Sequence, residues 1–340
     1  MAGQPAKEAK AAEVYEVVVV GGGAAGLSGT VLLARSRRSV LVIDAGEPRN
    51  ARAAGVHNFL SRDGTSPAAL LATGRSELRA YGGEVWDGRA ASAARDGDGF
   101  TVMLDDGRVV GARRLLVTTG VVDDLPDVPG VRERWGRDVV HCPYCHGWEV
   151  RDQAVGVLAT AATWPMALHQ ALLFRQLTED LTLFLHTAPE PAAAERAQLD
   201  ARGVAVVRGA VERVVVTDGH VGGVRLASGR VVPCQALAVQ PRAVANSPVL
   251  SALGLEPTDH PMGAGTFYAA DAMGQTSVPG VWIAGNVADL AATVVGAAAA
   301  GTKAASAINA DLVADDVERA RSRHVGGSAP HLLAETARSV

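Results

Sequence analysis

Val14-Tyr15-Glu16-Val17-Val18-Val19-Val20 runs straight into Gly21-Gly22-Gly23-Ala24-Ala25-Gly26, and Val40-Leu41-Val42-Ile43-Asp44 follows after an apolar stretch ending near Arg35. The first run is apolar and β-branched, as a buried strand requires. The glycine segment then opens a helix, and the second run is another strand that ends in an acid. The pattern is G-x-G-x-x-G between strand and helix. Its glycines let the backbone approach a pyrophosphate seated on the helix N-terminus. Asp44 is placed to accept the hydroxyls of an adenosine ribose. A lone glycine fingerprint is a weak signal. Strand, helix and acid together favour a dinucleotide over a structural glycine turn.

The chain has 340 residues, enough for two domains with separate cores. Its net charge of -4 gives no basic face for a nucleic acid. Aromatics are scarce, while Gly and Ala are abundant, which suits close helix-on-sheet packing. Residues 1–13 are polar and are expected to be disordered. They contain no apolar signal core, and no run is long enough to span a bilayer, so a cytoplasmic location is expected.

Two later segments extend the reading from a dinucleotide to FAD. Leu115-Leu116-Val117-Thr118-Thr119-Gly120 is a short strand ending Thr-Thr-Gly, and Val278-Pro279-Gly280-Val281-Trp282-Ile283-Ala284-Gly285-Asn286 ends Gly-Asn. Both look like the additional FAD contacts of flavoproteins with two dinucleotide domains. That second pattern normally ends Gly-Asp; Asn286 keeps hydrogen-bonding capacity but carries no charge. Residues 291–308 read as an Ala/Gly-rich helix whose N-terminus would face the flavin.

A second strand–turn–helix–strand unit starts at residues 154–158, with another strand at 181–185. Its turn, Ala159-Thr160-Ala161-Ala162-Thr163-Trp164-Pro165-Met166, has no glycine, and Trp164 is bulky. Close approach of a pyrophosphate is therefore disfavoured. Thr187 and Ala188 stand after His186, where NADPH-binding relatives carry arginines. NADPH binding is therefore not expected.

Just before that unit stands His141-Cys142-Pro143-Tyr144-Cys145-His146-Gly147-Trp148-Glu149, with two of the three cysteines. Pro143 suits a first helical position, which puts Cys142 at a helix N-terminus, where a thiolate is favoured, and Cys145 one turn on. Cys-x-x-Cys-His also matches haem attachment, but that needs export. Four zinc ligands within six residues would be cramped and no second knuckle exists, so no metal is expected. Cys234, in an apolar stretch, reads as a buried inert thiol. Tyr144 and Trp148 read as packing residues or an apolar wall for substrate. Glu149 either orients His146 or is an exposed acid; His57 lies either on the cofactor side or at the surface.

The order of these motifs resembles that of low-molecular-weight thioredoxin reductases over roughly residues 14–310. The resemblance implies an α/β fold of two Rossmann-like domains, with a discontinuous FAD domain (14–125 and 246–314). The central domain (126–245) carries the Cys-x-x-Cys and is a degenerate NADPH-type unit; a tail, 315–340, is loosely held. It implies FAD contacts at Gly21, Gly23, Ala24, Ala25, Gly26, Asp44, Ala45, Asn58, Thr119, Gly120, Gly285 and Asn286. A homodimer is implied as well. In that family the residue after the second cysteine is usually Asp. Here it is His146, and with the missing NADPH features the chain looks more like the dithiol-oxidase branch, which closes the disulfides of gliotoxin- and holomycin-type natural products.

That likeness implies catalysis by Cys142, Cys145 and His146. A small dithiol would be oxidised to its disulfide, and electrons would pass through the flavin to O2, giving H2O2, with His146 as base for the substrate thiol. Two other functions stay open: a reductase of a thioredoxin-like protein, using NADPH or another donor, and a non-catalytic flavoprotein redox sensor.

Overall fold

The computed structural model describes residues 13–326. Residues 1–12 of the polar N-terminus and 327–340 of the expected tail lie outside the described residues.

Strands Val14–Val20 and Val40–Asp44 pair in parallel, and Val14–Val20 also pairs in parallel with Val109–Val117. Strand Val281–Ile283 returns from far along the chain to pair with the end of Val109–Val117. These strands belong to one seven-stranded sheet. The pleat sends Val17 and Val19 into one buried cluster and Val18 and Val20 into another. Both faces are covered, which is why the run is continuously apolar rather than alternating. On one face helix Ala24–Arg35 packs against helix Val294–Gly326. A Cβ on Gly301 would come within 1.9 Å of the Ala25 carbonyl oxygen, so only glycine allows that crossing.

A second, all-parallel sheet is built in the central segment from Ala205–Val207, Leu181–Phe184, Val155–Leu158, Ala236–Val239 and Val139–Val140, in that order. It too is buried on both faces. The fold is α/β with two Rossmann-like units, as the motif order implied. The two crossings between the units are paired strands, Val122–Asp124 running antiparallel to Arg242–Val244.

The C-terminal part differs from expectation. The last helix begins at Val294 rather than residue 291, and it continues to Gly326 instead of ending at residue 308. Ion pairs hold the extension: Arg113 reaches Asp315 and Asp316, each at 2.6 Å, and Arg38 reaches Asp316 at 2.7 Å. Residues 315–326 therefore continue the helix, tied to the body at Asp315 and Asp316, where a loose tail was expected. Among the described residues no helix is long and apolar enough to cross a membrane.

Candidate active site

A cavity of about 450 Å3 runs from the glycine turn to the cysteine pair. At one end stand Gly21, Gly23, Ala24 and Ala25. Gly21 has φ +106°, and a Cβ there would meet the Thr118 carbonyl oxygen at 2.5 Å. Thr118 donates its hydroxyl to the Gly21 carbonyl at 2.8 Å, tying the turn to the neighbouring strand. Gly26 is the one expected contact that does not line the cavity. A Cβ there would be 1.9 Å from the Gly21 oxygen, so its task is to let the helix sit close behind the turn. No side chain caps helix Ala24–Arg35, which leaves its first-turn N–H groups open to an anion.

Asp44 and Ala45 line the same end. Asp44 accepts the Gly22 N–H at 3.0 Å and pairs with Arg75. The carboxylate thus braces the glycine turn as well as facing the cavity. Thr119, Gly120, Gly285 and Asn286 line the middle. The Thr119 hydroxyl is buried without a protein partner, a donor and acceptor in wait for a ligand. Asn286 uses its amide nitrogen to donate to the Ala292 carbonyl at 2.9 Å and the Asp289 carbonyl at 3.0 Å. Only its amide oxygen is left for a ligand. An aspartate there would set a carboxylate against those carbonyls, which gives the departure from Gly-Asp a local physical reason.

Cys142, Cys145 and His146 line the other end. Cys142 precedes the short helix Pro143–His146, and its Sγ accepts the Cys145 N–H at 3.1 Å. The two cysteines form a disulfide, with Cα atoms 5.2 Å apart. Burial pulls the His146 pKa below the ordinary histidine value, against the Glu149 charge, which raises it; nearby His57 lowers it further. Its imidazole is thus neutral, and able to accept a proton, over a wider pH range than a free histidine. Burial, helped by the Arg49 charge, pushes His141 down to about 4. His141 faces Gln240 Oε1 at 3.0 Å, while its carbonyl accepts from Gln170 at 2.6 Å.

Asn58 has φ +59° and donates its side-chain amide to the Tyr144 carbonyl at 2.6 Å. It both lines the cavity and fastens the cysteine turn to the loop that follows Asp44. Tyr144 and Trp148 are 69% and 67% exposed, so they do not pack in a core; of the two readings, an open apolar wall beside the cysteines is the one their exposure allows. Trp148 carries the Arg151 guanidinium 4.0 Å above its ring. Cys234 is buried, and burial pushes its thiol up to about 12. Among the described residues no group of three or more His, Cys, Asp or Glu forms a metal cage.

Sequence reasoning missed Arg49, Asn50, Asp123, Asn246 and Thr293, all on the cavity wall. Arg49 and Asp123 form a two-pronged pair, with contacts at 2.6 and 3.0 Å. Arg49 and Asn50 follow Asp44 closely, where the length of the loop before Asn58 was the only available signal.

The turn of the second unit is closed. Trp164 is 8% exposed and donates its indole N–H to Glu195 at 3.2 Å. The Ala161 N–H is taken by the Thr187 hydroxyl at 3.3 Å, and the Thr160 N–H by the Thr163 hydroxyl at 3.3 Å.

A sequence profile of the pyridine nucleotide-disulphide oxidoreductases matches residues 15–310. The chain belongs to this family. Pyridine nucleotide-disulphide oxidoreductases similar to it include thioredoxin reductase tcpT of Claviceps purpurea, 32% identical over 89% of this chain and 95% of that protein. Thioredoxin reductase sirT of Leptosphaeria maculans is 30% identical over 91% of this chain and 98% of the relative. The crystal structure of HlmI is 47% identical, with TM-score 0.84 over 92% of this chain and 97% of the other. Membership makes the protein an oxidoreductase and implies FAD. The residues present fit that group: an uncapped helix end for the pyrophosphate, left-handed glycines at 21 and 120, and the unpartnered Thr119 hydroxyl.

Proposed function

We propose that this chain is an FAD-dependent dithiol oxidase that closes a disulfide in a small dithiol, in the manner of the branch serving gliotoxin- and holomycin-type products. The observation that carries the reading is a pairing of opposites. The Cys142–Cys145 disulfide and His146 open into the same cavity as the glycine cradle, while the turn that would admit NADPH is filled by Trp164. Electrons then have a route from thiols to flavin and no evident nucleotide donor.

His146 takes the proton of one substrate thiol. The resulting thiolate attacks Cys142, breaking the Cys142–Cys145 bond and releasing Cys145 as a thiolate. The second substrate thiol then displaces Cys142 and leaves as the product disulfide. FAD, when bound, supplies a two-electron acceptor for the cysteine pair and hands the electrons to O2. In sum, two thiols lose two electrons and two protons as one S–S bond forms, and O2 gains them as H2O2. The proposal takes the protein to be a cytoplasmic homodimer, for fractionation and sedimentation to test.

A reductase acting on a thioredoxin-like protein has one observation in its favour, the exposed Tyr144 and Trp148 beside the cysteines. A protein partner would cover such a lip. Anaerobic stopped-flow mixing separates the two readings. Bleaching of the flavin by dithiol but not NADPH, with peroxide formed on admitting air, is expected. Rapid bleaching by NADPH would overturn the oxidase reading in favour of a reductase.

A further inference from the structure

We propose that His57 is a positioning residue for the thiol chemistry: it captures the Glu149 carboxylate and weakens the field of that charge at His146. The inference rests on the reading of His146 as the thiol base. His57 projects from the loop after Asp44 and lines the cavity with His146. Its Nε2 stands 3.3 Å from Glu149 Oε1, and its Nδ1 stands 3.2 Å from Asp63 Oδ1. A neutral imidazole donates to one of these carboxylates, a protonated one to both. The ring is only a quarter exposed, so water screens these contacts less than it would at an open surface. The adjacent Asn58 grips Tyr144 from the same loop. Two consecutive residues thus hold the segment from Tyr144 to Glu149.

Glu149 is the residue whose direction matters. It lies three positions after His146, and its charge favours the protonated imidazole. A protonated His146 cannot accept a thiol proton. With His57 holding the carboxylate, Glu149 is directed toward the 55–65 loop instead. The charged or titratable groups facing His57 are Asp63 on its own loop, Glu149 and His146. Those facing His146 are Glu149 and His57. Helix Trp164–Phe174 packs on the cysteine turn and has one titratable residue, His169, which is exposed.

The test is NMR titration of His146 in the intact flavoprotein, with 13C-labelled histidine and assignment by His146→Ala. His57→Phe should raise the His146 midpoint by about 0.5 units or more, because an unpaired carboxylate nearby favours the charged ring. His57→Gln should move it less, since an amide N–H can still hold Glu149. Glu149→Gln should lower the midpoint, and the double variant His57→Phe/Glu149→Gln should track Glu149→Gln. An unmoved midpoint in His57→Phe, or a double variant that keeps the full upward shift, would overturn the proposal. His57→Leu serves if His57→Phe does not fold. The titration needs no turnover, so a failed dithiol assay on the unaltered protein would sink the oxidase reading without deciding this one.

Discussion

The indole N–H of Trp164 donates to Glu195 Oε1 across the start of two helices, 3.2 Å apart. In a nucleotide-binding unit this ground belongs to a glycine turn whose bare backbone meets phosphate. Here a large ring fills it, and Glu195 adds a carboxylate that would repel phosphate at close range. Trp164→Ala is expected to cost about 3 kcal/mol of stability, as large-to-small changes of buried aromatics do. NADPH should still fail to bleach the flavin, because Thr187 and Ala188 supply no cation. Urea unfolding and an anaerobic spectrum check both; a stable variant reduced by NADPH would show that Trp164 is a mere plug.

Replacing both cysteines by serine should leave a yellow flavoprotein with no dithiol turnover. The glycine cradle lies at the other end of the cavity, so FAD retention is independent of the thiols. Oxygen uptake with a simple dithiol reads the result, and surviving activity would discard the thiol route.

His146 as base must be neutral, and burial holds its pKa below the ordinary value. Turnover should therefore rise with pH through a midpoint below about 6.5, the unperturbed histidine value. His146→Ala should lower turnover by about 100-fold or more and erase that limb. An unaltered profile would remove His146 from the proton transfer.

His141 gives a stability prediction of definite sign. Its pKa in the folded chain is about 4, against 6.5 unfolded. Above pH 6.5 both states are neutral and the full stability is present. As pH falls toward 4 the unfolded chain takes up a proton that the folded chain refuses, so stability is lost. For a shift of this size the loss approaches about 3 kcal/mol. Denaturant melts of the parent and of His141→Gln across this range should differ in slope; parallel curves would count against a neutral buried His141.

Asn286→Asp restores the usual Gly-Asp ending of the pattern and is nonetheless expected to harm this chain. The new carboxylate would face the Asp289 and Ala292 carbonyls that now accept from the amide. A loss of about 1–3 kcal/mol is expected, the usual cost of an unmet buried acceptor. Thermal melts and FAD retention on dialysis measure it, and an unchanged Tm would mean the loop re-forms around an acid.

Much of the frame is legible in the sequence because it rests on short-range rules. A β-branched run, a glycine turn and an acid 18 residues after Gly26 dictate strand, helix and strand locally, and Pro143 dictates where the cysteine turn begins. The last helix was misjudged for the opposite reason. Residues 309–326 are too charged to announce a packed helix. What holds them is Asp311, Asp315 and Asp316 meeting Arg38, Arg113 and Arg114, some 200 to 280 positions away. Tyr144 and Trp148 kept two readings in the sequence, packing residue or open apolar wall, because an aromatic side chain looks alike there whether it is buried or exposed.

By itself the sequence determined the two Rossmann-like units, the redox pair and the glycine cradle, since each is written in contiguous residues with a fixed spacing. Only the tertiary structure decided that one cavity joins cradle to cysteines and that Asn58 clasps Tyr144. It alone decided that Glu149 turns to His57 and that Trp164 closes the second turn. Those outcomes depend on which loops meet after the sheets have formed, and residues far apart in the chain carry no local mark of that meeting.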